Sequence, residues 1–327
     1  MSKTQKGGRR FLSKEKGWPP FVSLPTFTLP AYAKINWTLY VLGCRADGYH
    51  ELRTLLQTVT LHDRLTFTAR DDDRLALTCN EPEIPVDERN LVLRAAYALR
   101  EKHKIKKGAR LHLEKRIPAE AGLGGGSSDA AVALLGLAHL WQVETSEEEL
   151  AEIGATLGAD VPFFFTGGTA LGTGLGTEIK SLPDVQAGHL LIIKPRAKVS
   201  TVEAYKALKR PALTKETSDT ILSISRAEER IVDSLPEVLH NDFEQAIYEL
   251  YPEIARARAL LIEHGARGAL LAGSGASVFG IFENEEALDH ARSVLEKEVG
   301  WRVFASAALG RSAYLEALGE CAALLHS

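Results

Sequence analysis

The sequence predicts an α+β fold built in two units. Strand-like and helix-like segments follow one another in mixed order, without the regular strand–helix alternation of a doubly wound sheet. A glycine-rich turn at 122–126 opens directly into an apolar helical run, AAVALLGLAHLW. A fresh buried strand, HLLIIKP, begins at His189, which places a boundary near residue 185. The 327 residues, 45% hydrophobic and 25% charged, are enough for two cores of ordinary globular composition.

The elements read as follows. Leu29 to Val41 is apolar and β-branched, hence a strand, and RADGYH after it is a turn. Leu55 to Thr68 is a second strand, closed by the charged turn RDDDR. Asn90 to Lys102 is helical by the spacing of Leu91, Leu93, Ala95, Ala98 and Leu99. ARLHLEK is a strand that leads through Lys115 and Pro118 into the glycine turn, and a helix spans 127–141. Ser146 with Glu149 makes a capping box for another helix, which Gly158 ends. Residues 163–180 read as strand and glycine turns. Residues 201–208 and 236–264 read as mostly helical. The chain then reads strand (269–272), glycine turn, strand (276–282), helix (285–298) and strand (301–307).

Charge and cysteine content narrow the function. The net charge of −4 excludes a protein that binds nucleic acid through its overall charge. No apolar run reaches the length of a membrane span. Residues 1–17 carry six basic residues and one Glu, leaving 33 basic and 42 acidic residues in the body. Residues 1–25 thus form a basic extension without the apolar core of a secretory signal. A disordered extension, an early start codon or a transit peptide all fit it. Cys44, Cys79 and Cys321 are far apart and odd in number, without metal-ligand spacing, which predicts a reduced, cytoplasmic protein and no protein-bound metal.

The stretch PAEAGLGGGSSDAA, residues 118–131, carries the chemistry. Consecutive glycines are costly in entropy and belong where backbone approaches a ligand. A helix that starts there offers unpaired N–H groups and a positive dipole end to an anion, most often phosphate. Ser127 and Ser128 can cap the helix and offer hydroxyls to phosphate or magnesium. No Lys follows the glycines, so this is not a Walker loop, and a dinucleotide fingerprint would need glycine where Ser127 stands.

Three segments in order resemble the GHMP kinases (galactokinase, homoserine, mevalonate and phosphomevalonate kinases). They are PAYAKINWTLYVLGCRADGYHEL at 30–52, the glycine loop, and LLAGSGASVFGIF at 270–282. The resemblance runs from about Thr26 to about Ser312. It implies a GHMP kinase fold, with a nucleotide-binding N-terminal domain at 26–185, a ferredoxin-like C-terminal domain at 186–315 and a tail at 316–327. AKIN, RADGYHEL and LGADVPFFF together resemble the branch that phosphorylates a cytidine diphosphate-linked methylerythritol with ATP, magnesium arriving on the nucleotide. That implies a small-molecule substrate, no nucleic acid and no membrane.

The same resemblance implies roles for single residues. Asp160 of LGADVP matches the catalytic acid/base. Read alone it is more often a cap or turn residue, and the Phe163–Phe165 run beside it predicts partial desolvation and a raised pKa. Lys34 of AKIN matches the catalytic lysine, although a lone strand Lys usually faces solvent. Asn36 lies on the same strand face and can hydrogen-bond the substrate. Pro118, Gly122, Leu123, Gly124, Gly125, Gly126, Ser127 and Ser128 form the ATP phosphate loop. Asn90, Leu91 and Lys115 match positions near the adenine, and a strand-end role for Lys115 stays open. Tyr49 and His50 match residues at the cytidine end; without the resemblance they read as a core aromatic and a turn His. Tyr205 matches a second aromatic flanking the base, and Thr201 a substrate-site hydroxyl. Rival readings are a homoserine- or mevalonate-type kinase, which has no cytosine for the DGYH turn to hold, and a non-catalytic nucleotide-binding regulator, which would be expected to lose Lys34 or Asp160.

Overall fold

The structure, a computed structural model, describes residues 24–185, 187–209 and 238–325. Most of the basic extension, residues 236–237 of the helical stretch and the last two residues lie outside this range. Two sheets organise the chain. The first has seven strands: β1 (Thr26–Cys44), β2 (His50–Arg70), β3 (Leu75–Cys79), β4 (Gly108–Glu114), β5 (Thr169–Gly174), β6 (Glu178–Ser181) and β8 (His240–Asn241). The second is a four-stranded antiparallel sheet of β7 (Leu190–Lys194), β9 (Gly268–Leu271), β10 (Val278–Ile281) and β11 (Arg302–Ser306), in the order β11-β7-β10-β9.

β1 and β2 form one long hairpin, from Thr26↔Thr68 to Cys44↔His50. The RADGYH turn closes it, and its far end pairs with β4. The pairing slips between Tyr32 and Ala33 and again between Asn36 and Thr38. Such bulges bend a strand and re-aim its side chains. Lys34 and Asn36 lie between these two irregularities.

On the first sheet pack α1 (Leu91–His103) and α2 (Gly125–Trp141), and α3 (Glu147–Leu157) packs against these two helices. Helix α2 is apolar nearly all round, and twelve of its seventeen residues are buried, as expected of a central helix. Gly136 in its middle costs about 1 kcal/mol of helix propensity. The Phe67 ring lies where a β-carbon there would stand, so the glycine lets sheet and helix close on each other. Ser146 caps α3 by accepting from Glu149 N at 3.3 Å.

Several elements differ from the sequence reading. Residues Phe163–Thr166 form a helical turn, α4, rather than strand. All three phenylalanines are buried, and a short apolar run gives no period to separate strand from helix. β3 pairs in parallel with β4 and was not foreseen, since five residues make little pattern. The helical stretch after residue 236 includes the two-residue β8, which returns to the first sheet beside β1, before α6 (Glu244–Leu250) and α7 (Pro252–Glu263). α5 (Thr201–Leu208) precedes them, and α8 (Glu285–Leu295) flanks the second sheet. The expected tail is folded: α9 (Arg311–Leu318) and a 3-10 turn (Gly319–Leu325) bury Tyr314, Cys321 and Leu325 in the first core. No described helix is long and apolar enough to cross a membrane.

Candidate active site

A cleft of about 1110 Å³ lies where the two sheets meet. Its wall includes every site residue expected from the sequence except Ser128. Ser128 is fully buried, and its hydroxyl finds no partner among the described residues.

The centre of the cleft holds charge. Lys34 is 5% exposed at its side chain, not solvated as a lone strand lysine would be. Its Nζ donates to Asn36 Oδ1 at 3.0 Å and stands 3.4 Å from Asp160 Oδ2. Asn36 in turn donates to Thr54 Oγ1 at 2.7 Å, which donates to Thr38 O. This chain fixes the Asn36 amide with its carbonyl oxygen toward the lysine. Asp160 follows α3 and keeps 39% of its side chain exposed. Phe163, Phe164 and Phe165, which follow it, are all buried in the first core. Its carboxylate faces the cleft and the lysine.

The glycine loop lies against this centre. Lys34 N donates to Leu123 O at 2.9 Å, so strand and loop are joined beside the lysine. Gly124 has φ +68°, and a β-carbon on it would stand 2.8 Å from Lys34 Cγ. Positive φ and close approach both require glycine here. Helix α2 begins one residue later than the strained position, at Gly125 rather than at 127. Its first N–H groups and dipole face the cleft, which suits an anion.

At one end of the cleft stand Ile84, Pro85, Asn90 and Leu91. Asn90 caps α1: its side chain accepts from Val92 N at 2.9 Å and donates to Pro85 O at 2.7 Å. That fixes the loop before α1 as a rigid wall. Lys115 is buried, and its ammonium is held by Asp63 and, at 2.8 Å, by Asp129. Asp63 also accepts from Arg116 N and Ile117 N at 2.5 and 2.8 Å. Burial works against the Lys115 charge, but the two carboxylates outweigh it and hold its pKa above the ordinary lysine value. Burial pushes Asp129 up to about 7, with Lys115 pulling the other way. This triad was not read from the sequence: Lys115 and Asp129 flank the glycine loop, but Asp63 is 52 positions before Lys115 and outside every motif.

At the other end the rings of His50 and Tyr205 meet at 4.8 Å between centroids, tilted by 33°. Phe243 packs edge-on against Tyr205 at 4.9 Å. Burial, with Asp160 adding, raises the Tyr205 phenol above its ordinary pKa. Tyr49 is 64% exposed, at the rim. Thr201 Oγ1 lies 3.3 Å from Ser274 Oγ, on the glycine turn that follows β9. Thr54 and Phe243 were missed as cleft residues, since each lacks a local signal; Gly273 and Ser274, which also line the cleft, belong to the glycine turn of the 270–282 segment. Among the described residues no cluster of three or more His, Cys, Asp or Glu could hold a metal ion.

Comparison with known proteins agrees with this geometry. The model of the GHMP kinases N terminal domain matches residues 90–168, and that of the GHMP kinases C terminal matches 227–300. A 4-diphosphocytidyl-2-C-methyl-D-erythritol kinase of Caldicellulosiruptor bescii is 42% identical over 257 residues, covering 79% of this chain and 90% of that protein. One of the same name from Clostridioides difficile is 40% identical, covering 82% and 91%. A crystal structure of 4-(cytidine 5'-diphospho)-2C-methyl-D-erythritol kinase superposes with a TM-score of 0.69 at 34% identity, over 87% of this chain and all of that one. A homoserine kinase from Cytophaga hutchinsonii shares the fold alone, with a TM-score of 0.66 at 19% identity over 94% of this chain and 99% of its own. Relatives this similar over most of the chain, together with the two family-model matches, show that the chain belongs to the GHMP kinase family.

Proposed function

We propose that the protein transfers the γ-phosphoryl group of ATP to the 2-hydroxyl of 4-diphosphocytidyl-2-C-methyl-D-erythritol. One observation carries this reading. The Lys34–Asp160 pair, 3.4 Å apart, stands between an anion-binding glycine loop and an aromatic end formed by His50 and Tyr205. The names of the relatives at about 40% identity support the same substrate.

Phosphoryl transfer is largely positioning and charge stabilisation. The glycine loop and the start of α2 cradle the triphosphate. Asn90 and Leu91 shape the wall for the adenine, and Lys115 stiffens it from beneath through its two carboxylates. At the other end His50 and Tyr205 receive the cytosine, Tyr49 lies at the rim, and Thr201 and Asn36 offer hydrogen bonds to the acceptor alcohol. Asp160 accepts the proton of that hydroxyl as its oxygen attacks the γ-phosphorus. The bond from the γ-phosphorus to the bridging oxygen breaks, and ADP leaves with the electron pair. Lys34, 3.4 Å from Asp160, balances the charge that builds on the transferring group.

Magnesium neutralises phosphate charge when it arrives with the nucleotide. It favours phosphate and water oxygens with one or two protein oxygens rather than an all-protein cage. The Ser127 hydroxyl at the first turn of α2 is a fitting protein donor. The free thiols of Cys44, Cys79 and Cys321 support a reducing, cytoplasmic setting.

The test is the product. Phosphorus NMR of the reaction with ATP, magnesium and the cytidylyl alcohol should show a new phosphomonoester on the methylerythritol 2-oxygen. A phosphate on any other oxygen, or none, would refute the assignment.

A further inference from the structure

Asn241 lies on β8, opposite Leu39 in the parallel pairing with β1, and is buried. Its side chain reaches away from its own strand. Nδ2 donates to Leu271 O at 2.9 Å and to Gly273 O at 2.8 Å. Oδ1 accepts from Phe243 N at 3.0 Å. Two carbonyl partners and one N–H partner leave only one orientation for the amide.

Both ends of this bonding reach the cleft. The turn after β9 touches the phosphate loop and the lysine. Ala272 O occupies the place of a β-carbon on Gly122, and Ser277 N donates to Ala121 O at 3.1 Å. A β-carbon on Gly273 would stand 2.9 Å from Gly122 O and 3.4 Å from Lys34 Nζ. Phe243, whose N–H the same amide holds, backs the Tyr205 ring, which meets His50. One buried side chain therefore ties the backing of the phosphate loop to the backing of the aromatic end.

We propose that Asn241 is a positioning residue for phosphoryl transfer. Its two N–H bonds set the 272–276 turn against Gly122 and Lys34, and its acceptor sets Phe243 behind Tyr205. The proposal rests on the cytidylyl-kinase reading above. The two functions of the amide are separable by substitution. Asn241→Asp keeps the acceptor and loses both donors, while Asn241→Ala loses all three bonds.

Steady-state kinetics on folded protein, checked by circular dichroism, reads the difference. In Asn241→Asp, kcat should fall by roughly tenfold or more, since small misplacements of reacting groups are costly, with KM for the cytidylyl alcohol changed by less than about threefold. In Asn241→Ala, kcat should fall similarly and that KM should rise by about threefold or more as Tyr205 loses its support. A purely structural role would lower the melting temperature of both and leave kcat per folded molecule unchanged. A folded Asn241→Asp with kcat within about twofold of the parent, or the same KM change in both variants, would overturn the proposal. Should neither variant fold, Gly273→Ala decides: pressing Gly122 and Lys34 should lower kcat by roughly tenfold, and an unchanged kcat would overturn the proposal. A parent enzyme inactive on the cytidylyl alcohol would instead refute the substrate assignment, independently of Asn241.

Discussion

Lys34 Nζ stands 3.4 Å from Asp160 Oδ2 while donating a 3.0 Å hydrogen bond to Asn36. The lysine is almost wholly buried and the carboxylate is partly open to the cleft. That asymmetry suits a base that must meet an incoming hydroxyl while its partner charge stays fixed.

Asp160→Asn should keep ATP affinity nearly unchanged and lower kcat by roughly 10²–10⁴-fold, the range for a positioned acid–base group. Calorimetry and steady-state rates check the two halves separately. A loss of less than about tenfold would remove Asp160 from the role of base.

Gly124→Ala should weaken ATP binding and slow turnover together. The added carbon meets the Lys34 stem at 2.8 Å, in a backbone conformation with φ +68°. Left-handed backbone costs a non-glycine residue roughly 1–2 kcal/mol, so the loop should shift rather than accept the methyl group. Titration with a non-hydrolysable ATP analogue reads the effect, and parental affinity in a folded variant would contradict the phosphate-loop assignment.

His50→Ala should raise KM for the cytidylyl substrate and leave KM for ATP near its parental value. The imidazole meets Tyr205 at 4.8 Å, at the end of the cleft away from Asn90 and Leu91. A stacked base gains about 1–3 kcal/mol per aromatic partner, so the change in KM should be at least severalfold. Equal changes in both KM values would show that His50 supports the cleft as a whole.

Asp129→Asn should change the pH dependence of stability. Burial raises the Asp129 pKa from 3.8 to about 7 in the folded protein. A raised folded pKa gives stability that is full below the unfolded value and lost as pH rises through the folded one. The parent should therefore lose stability from about pH 4 to pH 7 at this site, and the variant should not. The melting temperature of Asp129→Asn relative to the parent should rise between pH 5 and pH 8, whatever its starting offset from the lost Lys115 contact. A flat or falling difference would contradict the burial argument.

The parts of the site that were legible in the sequence are contiguous ones. The glycine loop, AKIN and LGADVP each announce themselves within a few residues, and Lys34, Asp160 and Gly124 do meet in one cleft. Neighbours in sequence take different places in packing: Phe163, Phe164 and Phe165 are buried in the core, while the Asp160 side chain next to them keeps 39% of its surface exposed. The Asp63–Lys115–Asp129 triad and the Asn241 clamp were illegible for the complementary reason. Their partners come together only when β2, β4, α2 and the turn after β9 have packed. The two long strands, though not their pairing, and α1 and α3 were readable from apolar pattern, periodicity and caps. β3, β8 and α4, at five residues or fewer, carry too little pattern to read.

The central claim is that this cleft phosphorylates an alcohol bearing a cytidine diphosphate group. Its most direct test is ADP release by the purified protein with ATP and magnesium, offered 4-diphosphocytidyl-2-C-methyl-D-erythritol, homoserine and mevalonate in parallel. The cytidylyl compound should give by far the highest kcat/KM, and its uridine counterpart a much lower one, because hydrogen-bond donors and acceptors mismatched in a buried site are costly. Faster turnover of homoserine or mevalonate would contradict the account, leaving a GHMP kinase with a different acceptor.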